Sequence, residues 1–219
     1  MTQITLVRHG QANSQARDEA SYDRLSDLGH QQARWLGEHV EASGERYARV
    51  YAGTLRRHRE TAASMGAASH AEVVLDDRLN EIRYFDLAHL ALEQHGLAIP
   101  VGREEFAAHN VAMMGLWRED RIADAPESHA AFTGRIRAAI ADIARGSGRA
   151  LVVTSGGWIG VALAQILGLG PEATSRMMMS VMNTSVTRLH PLGDSLMLMQ
   201  FNAVPHLETA ERQFAQTHL

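Results

Sequence analysis

The 219-residue chain contains no cysteine. Disulfide bonds, a thiol nucleophile and cysteine-based metal sites are therefore excluded. Lys and Arg number 21 against 25 Asp and Glu, for a formal net charge of −4, so no basic excess indicates a nucleic-acid or membrane-surface partner. No apolar run approaches the roughly 20 residues of a membrane span, and no basic segment followed by a long apolar stretch marks a signal peptide. We therefore expect a cytoplasmic location.

Several ligand-binding motifs are missing as well. Neither Gly-x-x-x-x-Gly-Lys-Ser/Thr nor Gly-x-Gly-x-x-Gly occurs, which argues against a nucleotide-binding switch protein. The histidines show no His-x-His or His-Glu-x-x-His spacing. The sequence therefore contains none of these metal-site or nucleotide-binding motifs, and we expect no cofactor.

Apolar strands that alternate with helices predict a single domain over residues 1–219. Its expected fold is α/β, a three-layer α/β/α sandwich with a mostly parallel sheet. Strands are predicted at 3–7, 50–52, 72–75 and 150–154, and a closing antiparallel pair at 184–190 and 195–201 around Pro191–Asp194. Helices are predicted from Ser26 to about 44, from 53 to about 65, over 126–146 and 158–167, and from Pro171, with a polar loop at 11–25.

The middle of the chain, 82–126, predicts a helical cap or insert. Its helical patches lie at 86–95 and 104–118, and its apolar content is too thin for a core of its own. Met113, Met114, Leu116 and Trp117 are more typical of core packing than of a ligand box.

Two predicted strand ends carry polar chemistry. The first strand ends in Arg8-His9-Gly10, and a guanidinium beside an imidazole suits an anion. The strand at 150–154 ends in Ser155-Gly156-Gly157, where backbone N–H groups and a helix start can bind an anion. Taken alone, Arg8-His9-Gly10 is more typical of a plain strand-end turn, and its position after an N-terminal apolar strand makes the two interpretations equal. Ser155-Gly156-Gly157 is equally compatible with a plain tight turn. Because the carboxyl ends of parallel strands meet at one sheet edge, we expect both to face one crevice.

Five segments, in order, resemble the histidine phosphatase superfamily, which has the phosphoglycerate mutase-like fold. The resemblance covers most of the chain. The segments are Leu6-Val7-Arg8-His9-Gly10-Gln11-Ala12; Leu25-Ser26-Asp27-Leu28-Gly29-His30-Gln31-Gln32-Ala33; 50–62, which is similar to the family's Ser-Pro-Leu-x-Arg-Ala-x-x-Thr-Ala; Leu79-Asn80-Glu81; and Asn183-Thr184-Ser185-Val186-Thr187.

The resemblance implies a metal-independent phosphomonoester phosphatase. His9 would be the nucleophile that forms a phosphohistidine, and Arg8 and Arg57 would grip the phosphate oxygens. Glu81 would protonate the leaving oxygen and then activate water. We expect three further residues to line the phosphate site: Asn13, Ser155 and Gly156.

The chain also departs from the family pattern. Ser155 stands where the family has a second histidine, and a neutral hydroxyl cannot carry positive charge. Losing one such donor reduces rates by roughly 100–1000-fold, so we expect reduced activity and a gain from Ser155→His. Gly53-Thr54 replaces Ser-Pro, a milder change. Glu81-Ile82-Arg83-Tyr84-Phe85 lacks the mutase-type Glu-Arg-His-Tyr-Gly, which disfavours a phosphoglycerate mutase.

Alternatives remain open at this stage. The second hypothesis is a weak or inactive phosphate-binding pseudo-phosphatase with a regulatory role, although retention of the predicted nucleophile and acid favours the enzyme. His206 is a candidate to replace the missing imidazole, and packing near the C-terminus is the favoured interpretation of it. The expected partner is a small-molecule or phosphorylated substrate, its specificity set by the insert. The sequence does not identify the substrate. It also leaves the oligomeric state open, and a homodimer is one of the candidates.

Overall fold

A computed structural model describes residues 2–13, 15–193 and 195–218 of the chain. Ser14, in the predicted polar loop, and Asp194, in the predicted turn, lie outside the described residues. The helices pack on both faces of one central sheet, which gives a three-layer α/β/α sandwich.

The described strands are β1 Gln3–Arg8, β2 Arg49–Ala52, β3 Val73–Leu75, β4 Arg149–Thr154, β5 Val186–Leu192 and β6 Ser195–Ala203. They form a mixed six-stranded sheet in the order β3-β2-β4-β1-β5-β6. The strands β3, β2, β4 and β1 run parallel, while β5 pairs antiparallel with β1, and β6 with β5. The predicted closing antiparallel pair therefore lies at one side of a parallel core.

Residues of β1 and β4 alternate between two buried layers. Ile4 and Leu6 pack in the larger cluster, whereas Val7 packs in the smaller one together with Val153. This period of two follows from the pleat of a strand. Both faces of these strands are covered because parallel strands need helices on each side.

The helices cover the sheet unequally. The described helices are α1 Glu19–Tyr22, α2 Asp27–Ala42, α3 Arg56–Ser64, α4 Tyr84–His95, α5 Arg103–Arg118, α6 His129–Arg145, α7 Gly156–Leu167 and α8 Pro171–Ser180. Helices α2 and α3 pack on the face with the smaller cluster, and the other face carries α4, α5, α6 and α7.

Several predicted boundaries were wrong, among them the strand predicted at 184–190, which is β5 at Val186–Leu192. The polar loop at 11–25 contains the four-residue helix α1, which is too short to show a helical period. Helix α6 begins at His129 rather than at 126, because the Ser128 hydroxyl caps it by accepting from the Ala131 N–H at 3.1 Å. Helix α7 begins two residues early, at Gly156, so the glycine pair is its first turn rather than a loop.

The insert at 82–126 consists of α4 and α5, close to the predicted helical patches. Met113 and Trp117 are fully buried and belong to the same cluster as Ile4 and Leu6 of the sheet. The cap therefore packs on the sheet's own core. No helix within the described ranges is long and apolar enough to cross a membrane.

Candidate active site

The candidate site lies at the carboxyl edge of β2, β4 and β1, which are neighbours in the sheet. β1 ends at Arg8, just before His9, and β4 ends just before Ser155. Helix α3 begins shortly after β2 and carries Arg57 and His58. The topology thus brings together side chains that are far apart in sequence.

His9 is buried, with 2% of its surface exposed, and its ring has a defined tautomer. Nδ1 lies 2.7 Å from the carbonyl oxygen of Gly10, which can only accept a hydrogen bond, so Nδ1 carries the hydrogen and Nε2 keeps its lone pair. Burial, followed by the charges of Arg57 and Arg8, holds the pKa of His9 well below its ordinary value. The imidazole is therefore a neutral base with Nε2 available.

The backbone around His9 is held from three sides. The His9 N–H donates to the Thr154 carbonyl of β4 at 2.9 Å, and the Gly10 N–H donates to Thr61 Oγ1 at 3.0 Å. Asn183 Nδ2 donates to the His9 carbonyl at 3.1 Å. Two of the segments that carry the family resemblance, 50–62 and 183–187, thus fix the position of the histidine.

Arg57 is anchored within the pocket wall. Its guanidinium donates to Asp23 Oδ1 at 3.0 Å and lies over the ring of Tyr22, 5.1 Å from the ring centroid. Asp23 also accepts from the backbone N–H groups of Arg56 and Arg57, so it caps α3 from a distant loop. These contacts aim a side chain that is only 1% exposed.

Arg8 is tethered at one nitrogen. One terminal NH₂ group, Nη1, donates to the carbonyl of Val181 and, at 2.7 Å, to that of His218. Burial lowers the pKa of Arg8, while Tyr22 and Glu81 act in the opposite direction. The Nε atoms of Arg8 and Arg57 are both buried without a hydrogen-bond partner among the described residues. Unsatisfied buried donors of this kind are rare, and an anion would satisfy both.

Glu81 lies against the first turn of α7. Its Oε2 accepts from the Gly157 N–H at 2.7 Å, and Oε1 accepts from the Ile82 N–H at 3.0 Å. A Cβ on Gly157 would stand 2.6 Å from Oε1, so the carboxylate can approach only because residue 157 has no side chain. Arg135 holds the preceding segment by donating to the carbonyls of Arg78 and Asn80.

Ser155 and His58 form a buried pair. His58 Nε2 lies 2.6 Å from Ser155 Oγ, and both residues have 0% exposure. The rings of His58 and His9 are 5.7 Å apart at their centroids. Burial, with a further contribution from Arg57, holds the pKa of His58 well below its ordinary value.

The other sequence-predicted residues lie as follows. Gly156 is in contact range of Arg8, since a Cβ there would be 3.3 Å from Arg8 Nε. Asn13 uses its side-chain amide locally, donating to the Ser21 carbonyl at 3.0 Å. His206 is buried against Thr184, with 2.8 Å between Nε2 and Oγ1. These contacts fit the packing interpretation of His206.

Sequence reasoning missed three residues of the pocket. Tyr22 contacts the ring of His9 edge-on, with centroids 6.4 Å apart, and Asp23 positions Arg57. Both lie in the stretch predicted to be a loop, which carries no local signal of their roles. The sequence did carry a signal for His58, because this histidine occupies the position where the family's motif has alanine.

The cap contributes aromatic side chains near the pocket. Phe85 packs edge-on against Tyr22, with 5.8 Å between centroids, and its N–H donates to Glu19 at 2.8 Å. Burial raises the pKa of the Glu19 carboxyl. Among the described side chains, no group of three or more His, Asp or Glu residues could hold a metal ion.

Solved structures with this fold include several that act on phosphate esters. A mutant phosphoserine phosphatase from Entamoeba histolytica, in complex with phosphoserine, matches with a TM-score of 0.69 at 19% identity and covers 94% of this chain and 100% of that one. A mycobacterial glucosyl-3-phosphoglycerate phosphatase in complex with VO₃ matches with a TM-score of 0.65 at 25% identity and covers 92% and 99%. The fold is therefore phosphoglycerate mutase-like.

The chain belongs to the histidine phosphatase superfamily (branch 1), whose family model matches residues 4–204. Among curated relatives, a probable phosphoglycerate mutase, GpmB, of Enterobacter sp. (strain 638) is 31% identical over 195 residues, which are 86% of this chain and 85% of the relative. Its counterpart in Erwinia tasmaniensis is 32% identical over the same length. The family match, together with the glucosyl-3-phosphoglycerate phosphatase at 25% identity, supports a hydrolase-type enzyme.

Proposed function

We propose that the protein is a metal-independent phosphomonoester phosphatase that acts through a phosphohistidine on His9. The observation that carries the proposal is the buried, neutral imidazole of His9, whose Nε2 keeps its lone pair, close to two arginines whose Nε donors have no hydrogen-bond partner in the part of the chain that the structure describes. A neutral imidazole can attack phosphorus without a further base.

In the first step, His9 Nε2 attacks the phosphorus of the ester. The N–P bond forms as the P–O bond to the leaving group breaks, and the carboxyl group of Glu81, in its protonated form, gives its proton to the leaving oxygen. The products are an alcohol and phosphohistidine, with Glu81 as carboxylate. The hydrogen bond from Nδ1 to Gly10 stabilises the charge that develops on the ring.

In the second step, water attacks the phosphohistidine. The Glu81 carboxylate takes a proton from the water as the new P–O bond forms and the N–P bond breaks. Inorganic phosphate leaves, and His9 and protonated Glu81 are regenerated. Arg8 and Arg57 stabilise charge on the phosphoryl oxygens in both steps. Ser155, Gly156 and Asn13 complete the proposed phosphate site.

The test is a screen of phosphomonoesters with purified protein in excess EDTA. We expect phosphate release that survives chelation and that falls by at least about 1000-fold in His9→Ala. His95→Gln is the matched control, because it alters an exposed histidine at the end of α4 that contacts the Arg121 carbonyl, and it should keep wild-type activity. Rapid acid-free quenching and intact mass spectrometry should detect one added phosphoryl group on wild type. Loss of activity with EDTA, or an active His9→Ala protein, would contradict the mechanism.

The curated relatives support a second candidate, a phosphoglycerate mutase. Incubation with 3-phosphoglycerate, followed by phosphorus NMR, separates the two: a phosphatase releases inorganic phosphate, and a mutase produces 2-phosphoglycerate. We expect phosphate release, because 81–85 lacks the mutase-type sequence. A protein that binds orthovanadate but turns over no phosphomonoester would instead be the phosphate-binding pseudo-phosphatase.

A further inference from the structure

Three departures from the family pattern meet at one point in the structure. The resembling sequences have serine at 53, alanine at 58 and histidine at 155, whereas this chain has glycine, histidine and serine. His58 Nε2 lies 2.6 Å from Ser155 Oγ, and a Cβ on Gly53 would lie 2.1 Å from His58 Nδ1. A side chain at 53 and an imidazole at 58 therefore exclude each other. The three changes form one coordinated exchange.

The Ser155 hydroxyl is not used for capping. Ser155 is the N-cap residue of α7, where a serine normally accepts from a backbone N–H in the first turn. Here its side chain makes no capping bond, and the Gly157 N–H is bonded to Glu81 instead. The hydroxyl is thereby free to pair with His58.

We propose that His58 and Ser155 act as one hydrogen-bonded pair that replaces the histidine missing at 155, with the Ser155 hydroxyl donating to a phosphoryl oxygen and His58 as the positioning residue behind it. This inference rests on the proposed phosphatase function. No covalent bond to either residue forms or breaks. The imidazole has moved from the end of β4 to the first turn of α3, while the donor remains at the strand end.

The hydrogen-bonding pattern indicates which member of the pair donates to the other. His58 Nδ1 is buried without a partner among the described residues. Because an orphaned N–H is costly in a buried site, the single hydrogen of the neutral ring belongs on Nε2, where Ser155 Oγ accepts it. The proton of the hydroxyl is then left to donate into the pocket.

A double-mutant cycle tests the pair. His58→Ala and Ser155→Ala should each lower kcat by about 100–1000-fold with little change in KM, since the donor acts on charge in the transition state. The double variant should be no worse than either single variant, because the two residues act as a unit. His58→Gln, whose amide reaches the position of Nε2, should be more active than His58→Ala; it also serves if the alanine variant fails to fold.

Moving the imidazole from residue 58 to residue 155 tests whether the His58–Ser155 pair replaces the missing histidine. Ser155→His alone should give no gain, in contrast to the expectation from the sequence, because the His58 ring lies 2.6 Å from Ser155 Oγ and already occupies the adjacent space. His58→Ala/Ser155→His should recover activity to within about 10-fold of wild type, most of the 100–1000-fold that one donor provides. His58→Ala with wild-type kcat, or a double exchange no better than His58→Ala, would overturn the inference while leaving the phosphatase intact.

Vanadate binding keeps the inference testable if the proposed function fails. If wild type turns over no phosphomonoester, calorimetry with orthovanadate still reports on the pair. A dissociation constant that is at least about 10-fold higher in His58→Ala than in wild type, and unchanged in the control His95→Gln, would support the inference. Equal affinity in wild type and His58→Ala would refute it.

Discussion

At the scale of single residues, the pocket fixes the chemical state of its histidines through neighbouring hydrogen bonds and burial. His9 has an acceptor-only partner at Nδ1, and His58 has a partner only at Nε2 among the described residues. Both rings are buried beside arginines, which disfavours the imidazolium in each. One ring thus presents a lone pair to the pocket and the other supports a donor.

The first prediction concerns the tautomer of His9. At pH 6, where an unperturbed histidine with a pKa of about 6.5 is mostly charged, His9 should be neutral with its hydrogen on Nδ1. Nitrogen-15 NMR of histidine-labelled protein, assigned by comparison with His9→Ala, measures this directly. A charged ring at pH 6, or a neutral ring with its hydrogen on Nε2, would remove the nucleophile from the mechanism.

At the scale of elements, the site depends on how closely α7 approaches the segment that carries Glu81. The carboxyl group of Glu81 accepts from the Gly157 N–H in the first turn of the helix. Trp158 and Arg135 secure the same segment by donating to the Arg78 carbonyl. The helix start and the Glu81 loop therefore form one unit.

The second prediction is that Gly157→Ala lowers kcat by about 10–100-fold, part of the effect of general acid–base catalysis. Its methyl group would stand 2.6 Å from Glu81 Oε1 and would displace the carboxylate. Gly134→Ala in α6 is the matched control, because a Cβ there meets nothing within 4 Å. The control should keep full activity and gain about 0.5–1 kcal/mol of stability. Equal kcat values for both variants would show that Glu81 tolerates the displacement.

At the scale of the whole molecule, buried neutral histidines link stability to pH. Burial lowers the pKa of His206 to about 3, and the pKa values of His9 and His58 are also far below normal. As the pH falls below about 6.5, the unfolded chain binds protons at these residues and the folded chain does not. The free energy of unfolding therefore decreases on acidification and is recovered as the pH rises.

The third prediction is that His206→Gln flattens this pH dependence. Each such histidine contributes a slope approaching about 1.4 kcal/mol per pH unit below its unfolded pKa. Urea unfolding of wild type and His206→Gln between about pH 7 and pH 4.5 should give curves that converge in acid. Parallel curves would show that His206 takes up a proton in the folded protein.

The sequence alone determined much of this protein. Continuous apolar stretches such as 150–153 and amphipathic helices gave the strand and helix order, because both patterns are local. Arg8-His9-Gly10 and the other motif segments identified the superfamily. The sequence also showed that residue 155 departs from it. Helix α1 was missed because four residues are too few to show helical periodicity. The start of α7 was missed because a pair of glycines is typical of a turn.

Only the tertiary structure decided how the pocket is completed. His58 lies beside Arg57 in an arginine-rich segment, and its hydrogen-bond partner Ser155 follows β4, 97 residues away. Asp23 reaches Arg57 across 34 residues. His206, the candidate taken from the sequence, lies against Thr184 instead. Local patterns specify which face a side chain occupies, but the sheet order β2-β4-β1 decides which side chains share a pocket.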